Sequence, residues 1–290
     1  MTRAAGVDVG GTKLFGVVLD EYGNIVSEAR RPTPKGGEAV IAAAADIAGE
    51  LGPYDTFGIG VPGLVTRSGV LRAAPNLTGA TELAVAAMLQ ERLGHPVVTD
   101  NDATCATLAE WLLGAARGFS DVVLVTLGTG IGTGLIMGGR LQRGTNGFAG
   151  EAGHMVVHPD GPLCVCGRYG CWERFASGSG LQMLAGGRSG EEVVESARAG
   201  ETASLDVLDT FARWVALGLV NLTNILDPAC IVLGGGLSES KDVLLSPIKR
   251  EFASLLYRAD NRPHPSIVFA ELGERAGAIG AALLPSENAL

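Results

Sequence analysis

A chain of 290 residues is long enough for two domains, or one large one, and can bury most of its apolar surface without disulfide staples. Hydrophobic residues at 47%, charged residues at 18% and 43 glycines describe a packed α/β protein rich in tight turns, not a disordered chain. A formal net charge of −9, with no Lys/Arg cluster, argues against a nucleic-acid partner, which needs a basic face, and no run approaches ~18 uninterrupted apolar residues. No membrane partner and a cytoplasmic location are expected, since residues 1–6 also lack the apolar core of a leader.

In chain order, residues 6–9 and 14–19 read as strands joined by the turn Gly10-Gly11-Thr12-Lys13. Val40, Ala44, Ile47, Ala48 and Leu51 recur at helical spacing, and residues 57–61 form the next strand. Gly58, Gly60 and Gly63 satisfy a G-x-G-x-x-G pattern, yet Pro62 and the Ser68-Gly69 turn predict a second short strand where a dinucleotide fingerprint must open a helix. A strand at 97–99 precedes a helix expected to begin at Ala103. Residues 122–137 then repeat the strand, glycine turn, strand pattern of 7–19, with a Gly-Thr step in both turns. A long helix follows through Leu208, Phe211, Val215, Leu219, Leu222 and Leu226, and stops at Asp227-Pro228. Strands at 229–233 and 266–270 complete the series, the first running into Gly234-Gly235-Gly236.

The duplicated hairpin places two glycine turns on either side of one phosphate chain, so the active site is expected in a cleft between two related domains. Asp8-Val-Gly-Gly-Thr-Lys13 lacks P-loop spacing, but Gly10 and Gly11 let backbone amides approach an anion; Thr12 and Lys13 add donors, and Asp8 can hold Mg2+ through water. Gly128, Thr129 and Gly130 supply the matching second turn, and Gly235 and Gly236 suit the close approach of an adenosine. Three of the five cysteines fall between 164 and 171, more like metal ligands than a disulfide framework in a reducing compartment. Cys164, Cys166 and Cys171 with one histidine, His154 or His158, make a donor set for tetrahedral zinc, and Gly167 and Gly170 let the chain fold back around it. A disulfide at Cys171 is the alternative.

These residues resemble the ROK sugar kinases, and within them the bacterial ATP-dependent glucokinases, over essentially the whole chain. The resemblance is carried by Asp8 to Lys13, Gly58-Ile-Gly-Val-Pro-Gly63, Ala74-Pro75-Asn76, Asn101-Asp102-Ala103 and the Gly128 to Gly134 turn. Most specific are Gly150-Glu-Ala-Gly-His154 and Cys164-Val-Cys-Gly-Arg-Tyr-Gly-Cys-Trp-Glu173. It implies a two-domain actin/hexokinase-like, ribonuclease H-like duplicated α/β fold: a smaller domain from 1–100 plus 277–290, a larger one from 101–276, and a zinc-binding segment at 154–171. It further implies Asp102 as catalytic base, and Gly63, Asn76, Asn101, Glu151, His154 and Glu173 as sugar-binding residues. His154 becomes the zinc ligand in preference to His158. ATP, Mg2+ and a structural Zn2+ are the implied cofactors, glucose the acceptor at its 6-hydroxyl, and a homodimer or homotetramer the assembly.

An N-acetylhexosamine or fructose kinase is the alternative within the family. A sugar-responsive repressor is disfavoured because its helix-turn-helix precedes the phosphate turn, which here begins at Asp8, and an actin-like ATPase leaves the cysteine cluster unexplained. The family pattern Asn-Asp-Ala-Asn or Asn-Asp-Gly-Asn is broken by Thr104, which removes one amide behind Asp102, while Cys105 reads as helix packing. Asp102 is expected to titrate as an ordinary aspartate and be ionised at neutral pH.

Overall fold

The computed structural model describes residues 2–74, 77, 79 and 81–287. It opens with a three-stranded antiparallel meander, β1 (Ala4–Val9), β2 (Lys13–Leu19) and β3 (Ile25–Pro32), and continues through helix α1 (Gly37–Glu50), β4 (Thr56–Val61), the small hairpin β5 (Leu64–Val65) and β6 (Leu71–Ala73), α2 (Val85–Leu93) and β7 (Val97–Asn101). Helix α3 (Asp102–Leu112) leads to a second hairpin, β8 (Val122–Leu127) and β9 (Ile131–Met137), and a short edge strand β10 (Arg140–Leu141). Beyond it come α4 (Glu173–Ala176), α5 (Gly178–Leu184), α6 (Gly190–Arg198), α7 (Thr202–Leu226), β11 (Cys230–Gly234), α8 (Lys241–Leu255), β12 (Ser266–Phe269) and α9 (Ala276–Glu287).

The two main sheets repeat one topology. The first runs β3-β2-β1-β4-β7 and the second β10-β9-β8-β11-β12. In each an antiparallel hairpin is extended by two parallel strands: β4 and β7 on β1, β11 and β12 on β8. The duplication expected from the glycine turns therefore extends to whole sheets, because parallel additions beside a hairpin need crossover connections that the helices supply.

Five layers result. α1 and α2 cover the outer face of the first sheet with Val40, Ile41, Ile47, Val85 and Leu89. The outer face of the second is covered by α4 to α8, including Trp172, Phe211, Val215, Leu219 and Phe252. Between the sheets lie α3 and α9, whose Ala106, Ala109, Ala278, Ile279 and Ala282 meet Phe15 and Val17 of β2 and Val122, Leu124 and Val232 of the second sheet. Small side chains let these two helices cross closely: a Cβ on Gly280 would sit 1.7 Å from the carbonyl oxygen of Cys105. Burying apolar surface on both faces of each sheet is worth roughly 25 cal/mol per Å2, which explains strands that read as near-continuous apolar runs.

The structure shifts two expected boundaries. Strand β7 continues to Asn101, and α3 begins at Asp102, because the Asn101 side chain accepts from the Thr104 amide at 3.1 Å and caps the helix one residue earlier than expected. The long helix α7 starts at Thr202, ahead of its first apolar anchor. No helix among the described residues is long and apolar enough to cross a membrane.

Candidate active site

Asp102 occupies the first turn of α3 at the carboxyl end of β7, at the edge where parallel strands of an α/β sheet open toward ligands. It lines a cleft of about 770 Å3 together with Gly63, Asn101, Gly128, Thr129, Gly130, Glu151, His154 and Glu173. Asp102 and Thr126 also line an adjoining cavity of about 220 Å3 that holds Asp8, Gly235, Glu274 and Gly277, so the two spaces meet at this carboxylate. Gly10, Gly11, Thr12, Lys13 and Gly236 line neither. Asn76 lies outside the described residues.

Burial pushes the Asp102 carboxyl up from its ordinary value, and the bond from the Ala103 amide to its Oδ1, 2.8 Å, pulls it partly back. The expectation of an ordinary aspartate is thus corrected by burial, and Asp102 is a stronger base than an exposed one. Asn101 also braces the site: its Nδ2 donates one hydrogen to the Gly63 carbonyl at 3.2 Å and its Oδ1 accepts from the Thr104 amide, which leaves the second Nδ2 hydrogen for a ligand. Thr104, which replaces the usual amide, is itself buried.

Asp8 is the most perturbed carboxyl. Its Oδ1 is shielded and has no hydrogen-bond partner among the described residues, and burial first, then the nearby Asp102 charge, drive its pKa up to about 8 against the pull of Lys13. Gly277 makes room for it, since a Cβ there would lie 2.5 Å from the carboxylate. An unpartnered, shielded oxygen facing a cavity is what a hard cation would satisfy. Lys13, expected to reach phosphate, pairs instead with Glu274, which Arg30 also holds at 2.7 Å.

The second glycine turn is braced from behind. Gly128 O accepts from Gly178 N at 2.7 Å and Thr129 O from Ser179 Oγ at 3.2 Å, while Gly128 N donates within the turn to Gly130 O at 3.1 Å. Glu173 Oε2 accepts from Ile131 N at 3.4 Å. Ser179 and Thr126, whose Oγ1 bonds both the amide and the carbonyl of Gly132, escaped the sequence reading, because neither belongs to a glycine motif.

His154, Cys164, Cys166 and Cys171 bring one donor atom each within 4.8 Å of one another. Cys166 Sγ and Cys171 Sγ are 3.5 Å apart, and all five cysteines are free thiols in this structure. His158 is elsewhere, its ring against Phe175 and Trp214 with centroids 6.0 and 6.3 Å away, so the nitrogen left open between the two histidines is that of His154. Its Nδ1 lies 3.7 Å from Cys164 Sγ, and its Nε2 lies 3.9 Å from Glu151 Oε2 on the cleft side. The donor set fits a tetrahedral thiophilic ion. Desolvation at the cleft wall pushes the Glu151 carboxyl up although its side chain is 41% exposed, and His154 opposes the shift.

Residues 4–288 match the ROK family. A glucokinase of Streptomyces coelicolor is 37% identical over 99% of this chain and 98% of its own length. Among solved structures, a ROK family glucokinase from Streptomyces griseus, in complex with glucose and AMPPNP, superposes with a TM-score of 0.88 at 36% identity, covering 97% of this chain and 98% of that one. A ROK hexokinase from Thermus thermophilus gives 0.83 at 35% identity, covering 99% and 100%.

The Asp8 carboxyl has a consequence for stability. Folded, it keeps its proton up to about pH 8; unfolded, it releases it near 3.8. The folded chain therefore binds more protons between those values, and stability falls as pH rises through that window. Asp8→Asn removes this penalty, so the variant is expected to gain steadily on the parent as pH rises from 4 to 8, by at most about 5 kcal/mol, with the gap closing toward pH 4. Urea unfolding of both proteins across this range checks it, and a gap that is constant or reversed contradicts it.

Proposed function

The chain belongs to the ROK family, and from that membership we propose that it is an ATP-dependent glucokinase, transferring the γ-phosphoryl group of ATP to the 6-hydroxyl of glucose. The observation that carries this reading is the shielded Asp102 carboxylate at the junction of two cavities, one rich in hydrogen-bonding side chains and the other in glycine and acid. The first has the mixed donors and acceptors a polyol needs, from Asn101, Glu151, His154, Glu173 and the Gly63 backbone, with Asn76 as a further candidate. The second suits a polyphosphate and its cation.

In this reading the sugar lies with its 6-hydroxyl toward Asp102. Phosphoryl transfer passes through a loose transition state, so the protein contributes chiefly alignment, charge neutralisation and a proton acceptor at the attacking oxygen. Asp102, pushed up by burial, takes that proton. The turn Gly128–Gly130, which lines the cleft beside Asp102, would cradle the phosphates together with the turn Gly10–Thr12, and Gly235 and Gly236 would lie beside the adenosine. Asp8 would hold Mg2+, whose positive charge would offset that of the phosphate oxygens. The unit 101–276 would close on the unit 1–100 plus 277–290 about this cleft.

The four-donor cluster would hold a structural zinc. With His154 Nδ1 turned to the thiols, its Nε2 keeps a proton that can be donated to a sugar hydroxyl, so the metal would set the tautomer the sugar needs. The same segment contributes Val165, Cys166 and Arg168 to the cleft wall.

Activity is tested by a coupled assay with ATP across glucose, N-acetylglucosamine, N-acetylmannosamine and fructose. Glucose is expected to give the highest kcat/KM; a higher value for another sugar reassigns the acceptor, and preference for inorganic polyphosphate reassigns the donor. In the same assay Asp102→Asn is expected to lower kcat by at least ~10²–10⁴-fold while calorimetric glucose affinity moves less than about tenfold. A variant with near-normal kcat removes Asp102 from the role.

Elemental analysis of chelator-washed protein is expected to find one zinc per chain. Such sites contribute about 10–16 kcal/mol in small zinc peptides, so Cys166→Ser is expected to lose the metal and weaken glucose binding while the larger fold persists. Metal-free parent protein, or a metal-free variant with unchanged glucose affinity, overturns the site or its role respectively.

A further inference from the structure

Arg143 lies outside the cleft, in the segment that leaves β10 and ends at Glu151. Its side chain is 14% exposed and bonds two carboxylates at once, Nε donating to Asp100 Oδ2 at 2.5 Å and Nη2 to Glu287 Oε2 at 2.8 Å. Asp100, 6% exposed, uses its other oxygen to accept the Asn101 amide at 2.8 Å. One carboxylate at the end of β7 is thus gripped by an arginine from beyond the second hairpin, and itself grips the peptide leading into Asn101 and Asp102.

A second fastening lies beside the first. Arg67, between β5 and β6, donates from Nε and Nη2 to the Gly144 carbonyl at 2.9 and 2.7 Å. Gly147, at φ 99°, passes so close to the same turn that a Cβ would lie 2.3 Å from the Val65 carbonyl oxygen. The segment 142–150 issues from the second sheet and stays bonded to β9 at its ends, through Gln142 to Leu135 and Met137 and through Gly150 to Thr133, while Arg143, Gly144 and Gly147 fasten its middle to elements of the first. It delivers Glu151 between that fastening and Thr133, whose Oγ1 bonds the Gly150 carbonyl and the Ala152 amide on either side of it.

We propose that Arg143 is a positioning residue for hexose phosphorylation: by joining Asp100 and Glu287 it holds the Asn101-Asp102 peptide and the segment carrying Glu151 in one register. The proposal rests on the cleft being the hexose site and goes beyond it by assigning a role to a residue that touches no substrate. Guanidinium suits the task because its planar fork serves two carboxylates simultaneously, whereas an ammonium is a point charge. Without it Asp100 is left buried and uncompensated, and its grip on the Asn101 amide changes. Such a shift acts on the sugar side of the cleft. The glycine turns, which Arg143 does not contact, are left as they were.

A cavity of about 240 Å3 lined by Thr66, Arg67, Thr99, Asp100, Arg143 and Gly147 adjoins the pair, so truncating Arg143 leaves a space that an added guanidinium ion can enter. Arg143→Ala is expected to lower kcat/KM for glucose by about 10- to 100-fold with the KM for ATP within about twofold of the parent. Guanidinium chloride at sub-denaturing concentration is expected to recover activity several-fold where sodium chloride at equal ionic strength does not, and Arg143→Lys is expected to fall between parent and Ala variant. A folded Ala variant with parental kcat/KM, or parallel losses for glucose and ATP, or equal responses to the two salts, overturns the role. Should the Ala variant fail to fold, Asp100→Asn, which keeps the volume, decides in its place: the same glucose-selective loss supports the role and an unchanged enzyme overturns it. A parent protein inactive on every hexose overturns the assigned function and this role with it, whereas an active parent with unaffected variants overturns this role alone.

Discussion

The crossing of α3 and α9 between the two sheets governs the geometry of the site. These helices approach so closely that Gly280 has no room for a Cβ against Cys105, and α3 is pressed on its other side by β9, where a Cβ on Gly134 would lie 2.0 Å from Thr107 Oγ1. A helix held on two flanks cannot slide, because interiors are packed as densely as organic crystals and a displacement of one ångström must be absorbed by backbone. Asp102 stands on the first turn of that helix, and Gly277, on the first turn of α9, faces Asp8. Both carboxylates that the proposed chemistry requires take their places from one packing contact.

That placement has an electrostatic cost. Asp8 and Asp102 are pushed up by burial, Asp8 also by the neighbouring Asp102 charge, and Glu151 and Asp100 shift the same way for the same first reason. A cluster of desolvated acids destabilises the folded chain, and such arrangements persist where the charge is used, in the proposed reading for a cation at Asp8 and a proton acceptor at Asp102. Lys13, Arg30 and Glu274 form a counter-network at the rim, and Arg143 an internal one. A metal at the four-donor cluster would add a third kind of support, closing the loop 154–171, which contributes His154, Cys166 and Arg168 to the cleft wall.

Much of this was legible in the sequence because it is local. The two strand, glycine turn, strand units foretold the duplicated sheets, and the Ser68-Gly69 turn correctly argued against a dinucleotide helix. The run from Gly150 to Glu173 carried the metal donors together, since ligands that close one ion within about twenty residues must lie close in sequence. What stayed hidden depends on partners far along the chain. Lys13 meets Glu274 across 261 positions, Arg143 meets Asp100 across 43, and Asp102 is perturbed only because α3, α9 and β9 enclose it. No periodicity records such pairings. The histidine left open was resolved by stacking: His158 packs on Phe175 and Trp214, which leaves His154 to the thiols.

The account turns on where the reacting hydroxyl sits relative to Asp102. A crystal structure of the protein with glucose and a non-hydrolysable ATP analogue measures this directly. The expected result is glucose in the cleft beside Asn101, Glu151 and His154, with its 6-hydroxyl oxygen at hydrogen-bond distance, about 2.6–3.2 Å, from an Asp102 carboxylate oxygen and facing the terminal phosphate. Glucose bound with that hydroxyl turned away from Asp102, or bound outside the cleft, would contradict it.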